Sequence, residues 1–243
     1  MLIIKLNATN STNSYLRELS NNKQLEDYTV VTAKHQLQGR GQRGTNWESE
    51  TGKNLTFSVL KDISGIPITD NFFVSVVTAL AVRATLNDFL IPNLSIKWPN
   101  DILSANKKIA GILIENNIKK NALGSSIIGI GINVHQTYFE NLPQASSLQL
   151  ITGKTFNPDH LLLGTITHLK FYFEQLKQHK QKLLKAEYES FLFRKNKPST
   201  FKKIDGSVIT GYIQGITDSG RLCVLEQDAA IETYDLKQIR LLY

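Results

Sequence analysis

The sequence predicts an α+β protein: a mixed central β-sheet flanked by helices, followed by a small C-terminal β-barrel. Three observations carry this reading. Short β-branched and apolar runs recur up to Ile132, the pattern of strands. Two stretches, after Asp70-Asn71 and after Asn157-Pro158, repeat apolar residues at helical spacing. Beyond Lys197-Pro198 the chain turns to short alternating runs separated by Asp205-Gly206 and Asp218-Ser219-Gly220. The change divides a large unit, residues 1–196, from a barrel of about 45 residues, 197–243.

Taken in order, Met1 to Leu6 reads as a strand, without the basic start and apolar stretch of a signal peptide. Asn10-Ser11-Thr12-Asn13 supplies N-cap side chains before Tyr15 to Leu19, a short first helix. Tyr28 to Ala33 and Leu55 to Leu60 are strands. Phe73, Val76, Val77, Leu80 and Ala84 share one face of a second helix. Leu94 to Trp98, Asp101 to Leu103, Ile109 to Glu115 and Ser126 to Ile132 are strands, with Ala105-Asn106 as a hairpin turn. Asn157-Pro158-Asp159 gives an N-cap, a first-turn proline and a first-turn acid, so a long helix starts there. Leu161, Leu162, Ile166, Leu169, Phe173 and Leu176 form its apolar stripe, and a further helix covers Gln181 to Phe193. Ser207 to Tyr212, Arg221 to Glu226 and Ala230 to Tyr234 are the barrel strands. No internal repeat or low-complexity segment is visible.

Composition sets the outer limits. The chain has 243 residues, 41% of them hydrophobic, and no run of about 18 apolar residues that would mark a membrane span. A single cysteine, Cys223, excludes an internal disulfide framework and a cysteine-based metal site, which suits a cytoplasmic protein. The net charge of +7 points to an anionic ligand or partner: nucleic acid, an acidic protein or a polyphosphate. Many lysines lie between Lys170 and Lys203, where they read as the solvated face of a helix. No helix-turn-helix or aromatic RNA-binding signature accompanies them. His35 and His135 have no carboxylate or second histidine at ligand spacing, so no metal ligand is assigned.

The segment Gly39-Arg40-Gly41-Gln42-Arg43-Gly44 has the glycine spacing of a dinucleotide-binding turn, and a strand precedes it. The helix that should follow is missing, because Thr45 to Gly52 has no helical periodicity. A phosphate-binding P-loop fails as well, since no Lys-Ser/Thr pair closes the glycines. What is left is a long loop between two strands, carrying two arginines and Trp47. Such loops act as lids or binding loops, or are disordered.

Five motifs then stand in a familiar order: Asn10-Ser11-Thr12-Asn13 before a helix; Gln36 with the glycine-arginine loop and Trp47; Lys97-Trp98-Pro99-Asn100-Asp101; Lys108-Ile109-Ala110-Gly111-Ile112-Leu113; and Gly129-Ile130-Gly131-Ile132-Asn133. On these motifs the chain resembles the biotin protein ligases, the biotin–[biotin carboxyl carrier protein] ligases, over essentially its whole length. The resemblance implies a class II synthetase-like catalytic domain and an SH3-like C-terminal barrel. It also implies the monofunctional form, because the catalytic pattern begins within the first ten residues and leaves no N-terminal DNA-binding domain; specific DNA binding is not expected.

The activity implied has two steps. The biotin carboxylate attacks the α-phosphate of ATP, giving biotinyl-5′-adenylate and pyrophosphate, with Mg2+ neutralising the leaving group. A lysine of a biotin carboxyl carrier protein domain then takes the biotinyl group and AMP departs. Arg40 and Lys108 are the catalytic candidates, since they can offset the repulsion between carboxylate and phosphates. Ser11, Thr12, Asn13 and Gln36 are assigned to the ureido ring, and Gly111, Gly129 and Gly131 to the strands beside the biotin tail. Arg40, Gly41, Gln42 and Lys108 complete the biotin site. Arg40, Arg43, Trp47, Asn100, Lys108, Asn133 and Arg240 are assigned to the nucleotide, with Trp47 on the adenine side. Asp101 orients neighbouring groups or the acceptor amine.

A common bacterial form of the loop has arginine where this chain has Gln42, so one full charge is absent there. A sheet edge is expected to pair with the acceptor domain or with a second copy of the chain. The rival readings are a lipoate ligase or lipoyl transferase, and a non-catalytic protein that binds biotin or nucleic acid.

Overall fold

A computed structural model describes residues 1–119, 122–226 and 230–243, with the side chains of Arg43 and Lys119 left out. The chain runs β1 (Ile3–Thr9), α1 (Thr12–Asn22), β2 (Val30–Gln36), β3 (Leu55–Asp62), α2 (Phe73–Asp88), β4 (Leu94–Lys97), β5 (Asp101–Ser104), β6 (Lys107–Lys119) and β7 (Ala122–Ile132). It continues α3 (Leu148–Thr152), α4 (Pro158–Lys177), α5 (Gln181–Ser190), β8 (Pro198–Lys203), β9 (Val208–Ile216), β10 (Leu222–Glu226), β11 (Ile231–Tyr234) and β12 (Ile239–Leu242).

The first seven strands form one sheet in the order β1-β2-β3-β7-β6-β5-β4. β1 and β2 are parallel and the other neighbours antiparallel, so the sheet is mixed. One face is fully apolar. Phe57 and Val59 of β3, Ile128, Ile130 and Ile132 of β7, and Ala110 and Ile112 of β6 are buried there in one core with α2 and α4. α2 packs against the sheet, α4 and α5, which explains why it is apolar nearly all round rather than along one stripe. The opposite face carries α1, whose Leu16 packs on Val31, Leu60 and Ile127.

Turn chemistry matches the connections. Ala105 and Asn106 both have positive φ, +47° and +64°, the backbone of a tight two-residue hairpin between β5 and β6. α4 is capped by Asn157, whose side chain accepts the Asp159 N–H, and Pro158 occupies the first turn. The edge strand β4 is not left open: Phe191 and Phe193 bond to both sides of Ile96 at 2.8 Å, covering that edge.

Several expectations need correction. The strand expected to reach Trp98 ends at Lys97, because Trp98-Pro99-Asn100 forms the turn into β5. The last helix ends at Ser190, and Phe191 to Phe193 go to the sheet edge instead. α3, β8 and β12 are additional to the elements the sequence predicts. The C-terminal strands form an antiparallel sheet in the order β11-β10-β9-β8-β12, with a bulge at Cys223/Val224. Among the described residues no ladder joins β11 to β12, so the expected barrel is not closed.

This sheet is fastened to the rest of the protein. The Trp98 indole N–H donates to Gly220 O at 2.9 Å, and Ile216 N donates to Glu189 of α5 at 2.9 Å.

Candidate functional site

The sheet face opposite the main core presents rows of small and polar residues. Register places Thr56, Gly131, Gly111 and Asp101 in one row across β3, β7, β6 and β5. The next row holds Ser58, Gly129 and Leu113. The period of two in each strand puts these residues on the face away from Phe57, Ile130 and Ile112. A cavity of about 310 Å³ lies over them, walled by the loop after β2 and by Ile213, Leu222, Ile239 and Arg240 of the C-terminal sheet.

Lys108 reaches this face through a bulge. Leu103 pairs with Lys108 and Ile102 with Ala110, so Ile109 is an extra residue in β6. Such a bulge re-aims the side chains on either side of it. Ile109 is buried in the core, and Lys108 shares a face with Gly111, its Nζ 3.3 Å from where a Cβ on Gly111 would sit. Lys108 Nζ pairs with Asp101 Oδ1 at 2.7 Å, and Lys97 Nζ pairs with Asp101 Oδ2 at 3.3 Å. Two ammoniums share one carboxylate that is 8% exposed, so the trio keeps one net positive charge. Nearby, Tyr243 lies against Lys97 and Phe193, and burial, with the Asp101 charge second, pushes its hydroxyl pKa up to about 12.

The other end of the cavity is a hydrogen-bonded polar pocket. Ser11 is the N-cap of α1 by backbone position, yet its hydroxyl makes no capping bond; Gln36 Oε1 accepts the Thr12 N–H at 2.8 Å instead. Thr12 Oγ1 donates to the same oxygen at 3.1 Å. Ser58 Oγ, fully buried, lies 2.7 Å from Thr12 Oγ1 and 2.5 Å from Asn13 Oδ1. Asn13 is therefore not a helix cap. Its carboxamide lies flat on Gly129, where any Cβ would collide with it.

The loop between β2 and β3 folds back on itself. Gly39 and Trp47 are joined by a 2.9 Å hydrogen bond and Arg40 bridges Asn46, with a single 3-10 turn at Gln42–Gly44 between. This sets the Trp47 indole on the glycine floor: a Cβ on Gly131 would stand 2.5 Å from its Cε2 and Cζ2, and one on Gly111 2.9 Å from its Cζ3. Lys108 Nζ stands 5.5 Å from the ring centroid, a cation–π distance. Trp47 Nε1 is buried without a hydrogen-bond partner among the described residues.

The structure thus brings Ser11, Thr12, Asn13, Gln36, Arg40, Gly41, Gln42, Trp47, Asn100, Lys108, Gly111, Gly129, Gly131 and Arg240 to one cavity. Asn133 is not on its wall; it is buried and donates to Ser146 O at 2.9 Å, holding the segment beside Lys108. Asn100 is on the wall, but its side-chain N–H already donates to Ile112 O at 2.8 Å. The assignment of Arg43 lies outside the described side chains. Trp47 lies against Gly111 and Gly131, the glycines assigned to the biotin tail.

Sequence reasoning passed over Ser58, Lys97 and Glu115 as site residues. A signal existed for Ser58: Thr56 and Ser58 alternate with Phe57 and Val59 in a strand buried on both faces, and a polar row there needs partners. Glu115 falls in phase with Gly111 and Leu113 on the same face, a carboxylate in an apolar strand.

Comparison with known proteins gives a consistent result. A family model described as "Biotin/lipoate A/B protein ligase family" matches residues 6–133. The bifunctional ligase/repressor BirA of Bacillus spizizenii is 30% identical over 241 residues, covering 96% of this chain and 72% of that protein. The biotin–[acetyl-CoA-carboxylase] ligase of Mycobacterium tuberculosis is 27% identical, covering 89% of this chain and 80% of its own length. The structure of a biotin protein ligase from Aquifex aeolicus in complex with biotin and ATP superposes with a TM-score of 0.83 at 27% identity, covering 99% of this chain and 98% of that one.

Proposed function

The chain belongs to the biotin/lipoate A/B protein ligase family, and from that premise we propose how its cavity performs the reaction. It is an ATP-dependent biotin protein ligase, forming biotinyl-5′-adenylate and transferring biotin to a lysine of a carboxyl carrier protein. The observation that carries this reading is the order of chemistry along one sheet face. A buried pocket of hydrogen-bonding groups, Thr12, Asn13, Gln36 and Ser58, stands at one end. A glycine floor follows, and the Lys97–Asp101–Lys108 cluster stands at the other end. Biotin has the same order: a polar ureido ring, an apolar tail and a carboxylate. Lipoate has no polar head, and would leave the buried pocket without partners, a large penalty.

In the first step a biotin carboxylate oxygen bonds to the α-phosphorus of ATP, and the bond from that phosphorus to the bridging oxygen breaks, releasing pyrophosphate. Lys108, supported by Lys97 and by Arg240 across the cavity, offsets the negative charge gathered at the phosphorus. Asp101 holds the Lys108 ammonium over the floor instead of letting it range into solvent. Magnesium arrives with ATP as part of the substrate. Among the described residues no three His, Cys, Asp or Glu side chains stand close enough together to hold a metal, and Asp101 is engaged by two lysines.

In the second step a neutral lysine amine bonds to the acyl carbon, the bond from carbon to the phosphate oxygen breaks, AMP leaves with the electron pair, and the nitrogen gives up its surplus proton to solvent. The loop carrying Arg40 and Trp47 covers the cavity and keeps water from the anhydride. Beyond Gly111, β6 has a ladder partner among the described residues only in β7, so its outer half offers an edge to an extended segment of the carrier or of a second copy. No helix among the described residues is long and apolar enough to cross a membrane.

The direct test is transfer. With biotin, MgATP and an isolated carrier domain, the acceptor should gain one biotinyl group in this protein's presence, and a carrier with its lysine replaced by arginine should gain none. Equal labelling of both carriers would remove the claim of specific transfer.

A further inference from the structure

We propose that Glu115 is a positioning residue that couples the ureido pocket to Arg40 of the loop; the proposal rests on the ligase reading above. Its side chain reaches three groups. Oε2 accepts the Asn13 Nδ2–H at 2.8 Å, and Oε1 lies 2.6 Å from Arg17 Nη2 and 3.4 Å from Arg40 Nη2. Arg40 Nη2 also donates to Ser14 Oγ at 3.0 Å, so the loop's first arginine is fastened to the start of α1 and to β6 at once.

The contact with Asn13 fixes which way its carboxamide points. A carboxylate can only accept hydrogen bonds, and so can the Leu113 carbonyl, 3.3 Å from the same Nδ2. Both neighbours require the NH2 on the Glu115 side, and this turns Oδ1 toward Ser58 and the pocket. The consequence is a surplus of acceptors. Ser58 and Thr12 have one hydroxyl proton each, while three short contacts compete for them: Thr12 to Gln36, Ser58 to Thr12 and Ser58 to Asn13. A pocket short of one proton takes a ligand that brings its own N–H donors, as the ureido ring does. Without Glu115 only the longer Leu113 contact holds the Asn13 amide, and the polarity of the pocket is weakened.

The same carboxylate is the charge that holds Arg40. A ligand that orders Asn13 therefore also orders Glu115, and through it the loop that must stay shut over the adenylate. Sharing one anchor makes recognition of the head and retention of the product a single event.

Glu115→Gln, nearly identical in shape, keeps an acceptor for Asn13 and removes the charge that holds Arg40. Biotin KM in biotin-dependent ATP–pyrophosphate exchange should stay within about twofold, while biotinyl-adenylate should dissociate about three- to fivefold faster, the effect of losing one half-exposed ion pair. In an Arg40→Ala background the same substitution should leave dissociation unchanged, because the partner through which it acts is gone. Glu115→Ala, which also loosens Asn13, should raise biotin KM by about tenfold. A purely structural role would lower the melting temperature and leave both constants of the folded protein where they were. Parental KM and dissociation rate in both variants overturn this proposal alone. No exchange by the parent protein overturns the ligase reading, and this proposal falls with it.

Discussion

Lys108 Nζ stands 2.7 Å from Asp101 Oδ1, and a one-residue bulge at Ile109 is what brings the two together. Without the bulge the alternation of β6 would turn Lys108 into the core and Ile109 toward the cavity. The ammonium that faces the substrates is thus placed by backbone geometry and held by a carboxylate.

Lys108→Ala should slow adenylate formation by about 10²–10³-fold, the usual cost of removing one group that stabilises transition-state charge. The fold should survive, because the side chain is a third exposed and its bulge neighbours are untouched. Biotin-dependent pyrophosphate exchange, with circular dichroism on the same sample, checks both halves of the claim. Parental exchange rates would remove Lys108 from the chemistry.

Gly129→Ala should weaken biotin binding by about 1–3 kcal/mol, because the new methyl must displace the Asn13 carboxamide from the floor of the pocket. The collision is with a side chain, so the sheet itself should hold. Isothermal titration with biotin is the measurement, and unaltered affinity would mean that Asn13 is not part of the head site.

Trp47 lies so close to Gly111 and Gly131 that no ligand fits beneath it, and the indole must lift or slide as biotin enters. Tryptophan emission should change on adding biotin. Trp98, buried and hydrogen-bonded to Gly220, should contribute a constant background. In Trp47→Phe the change should vanish; a biotin-induced change that persists would assign the motion elsewhere.

Lys61 is only 1% exposed and is paired with Asp27, with the Tyr28 ring 4.6 Å and the Phe173 ring 5.4 Å from its ammonium. Asp27→Ala should destabilise the protein by about 2–3 kcal/mol, since it leaves a buried charge without its partner. Lys61→Met, which removes the charge and keeps the volume, should cost about 1 kcal/mol or less. Urea unfolding of both variants decides this, and the reverse order would contradict it.

Tyr188 is fully buried and its hydroxyl has no hydrogen-bond partner among the described residues. Burial, then the Glu189 charge, raises its pKa above the ordinary tyrosine value. The folded state therefore holds its proton where the unfolded chain releases it. This contribution is complete below the unfolded pKa of about 10 and is lost as pH rises beyond it. Tyr188→Phe should be neutral or stabilising at pH 7 and should decline less steeply between about pH 10 and 11. A steeper alkaline decline in the variant would reverse the argument.

How much of this was legible in the sequence depends on the range of the interaction. Local signals read well: Asn157-Pro158-Asp159 starts α4, Ala105-Asn106 turns the hairpin, and short apolar, β-branched runs mark β3 and β7. Long-range pairings did not. Phe191 to Phe193 look helical in sequence, and only the open edge of β4 draws them into strand-like bonding. β12 looks like a tail until β8 supplies its ladder. The site follows the same rule. Motif residues such as Thr12, Gln36 and Lys108 could be named individually, whereas Ser58 and Glu115 matter through what lies across the sheet from them. A bulge at Ile109 has no sequence signature here, so the reason Lys108 points inward was visible only in the register.

The measurement that bears most directly on the central claim is mass spectrometry of the protein incubated with MgATP and biotin, and separately with MgATP and lipoate. The account predicts biotinyl-adenylate and pyrophosphate with biotin and no acyl-adenylate with lipoate. Lipoyl-adenylate in comparable amount, or no adenylate from either acid by folded protein, would contradict it.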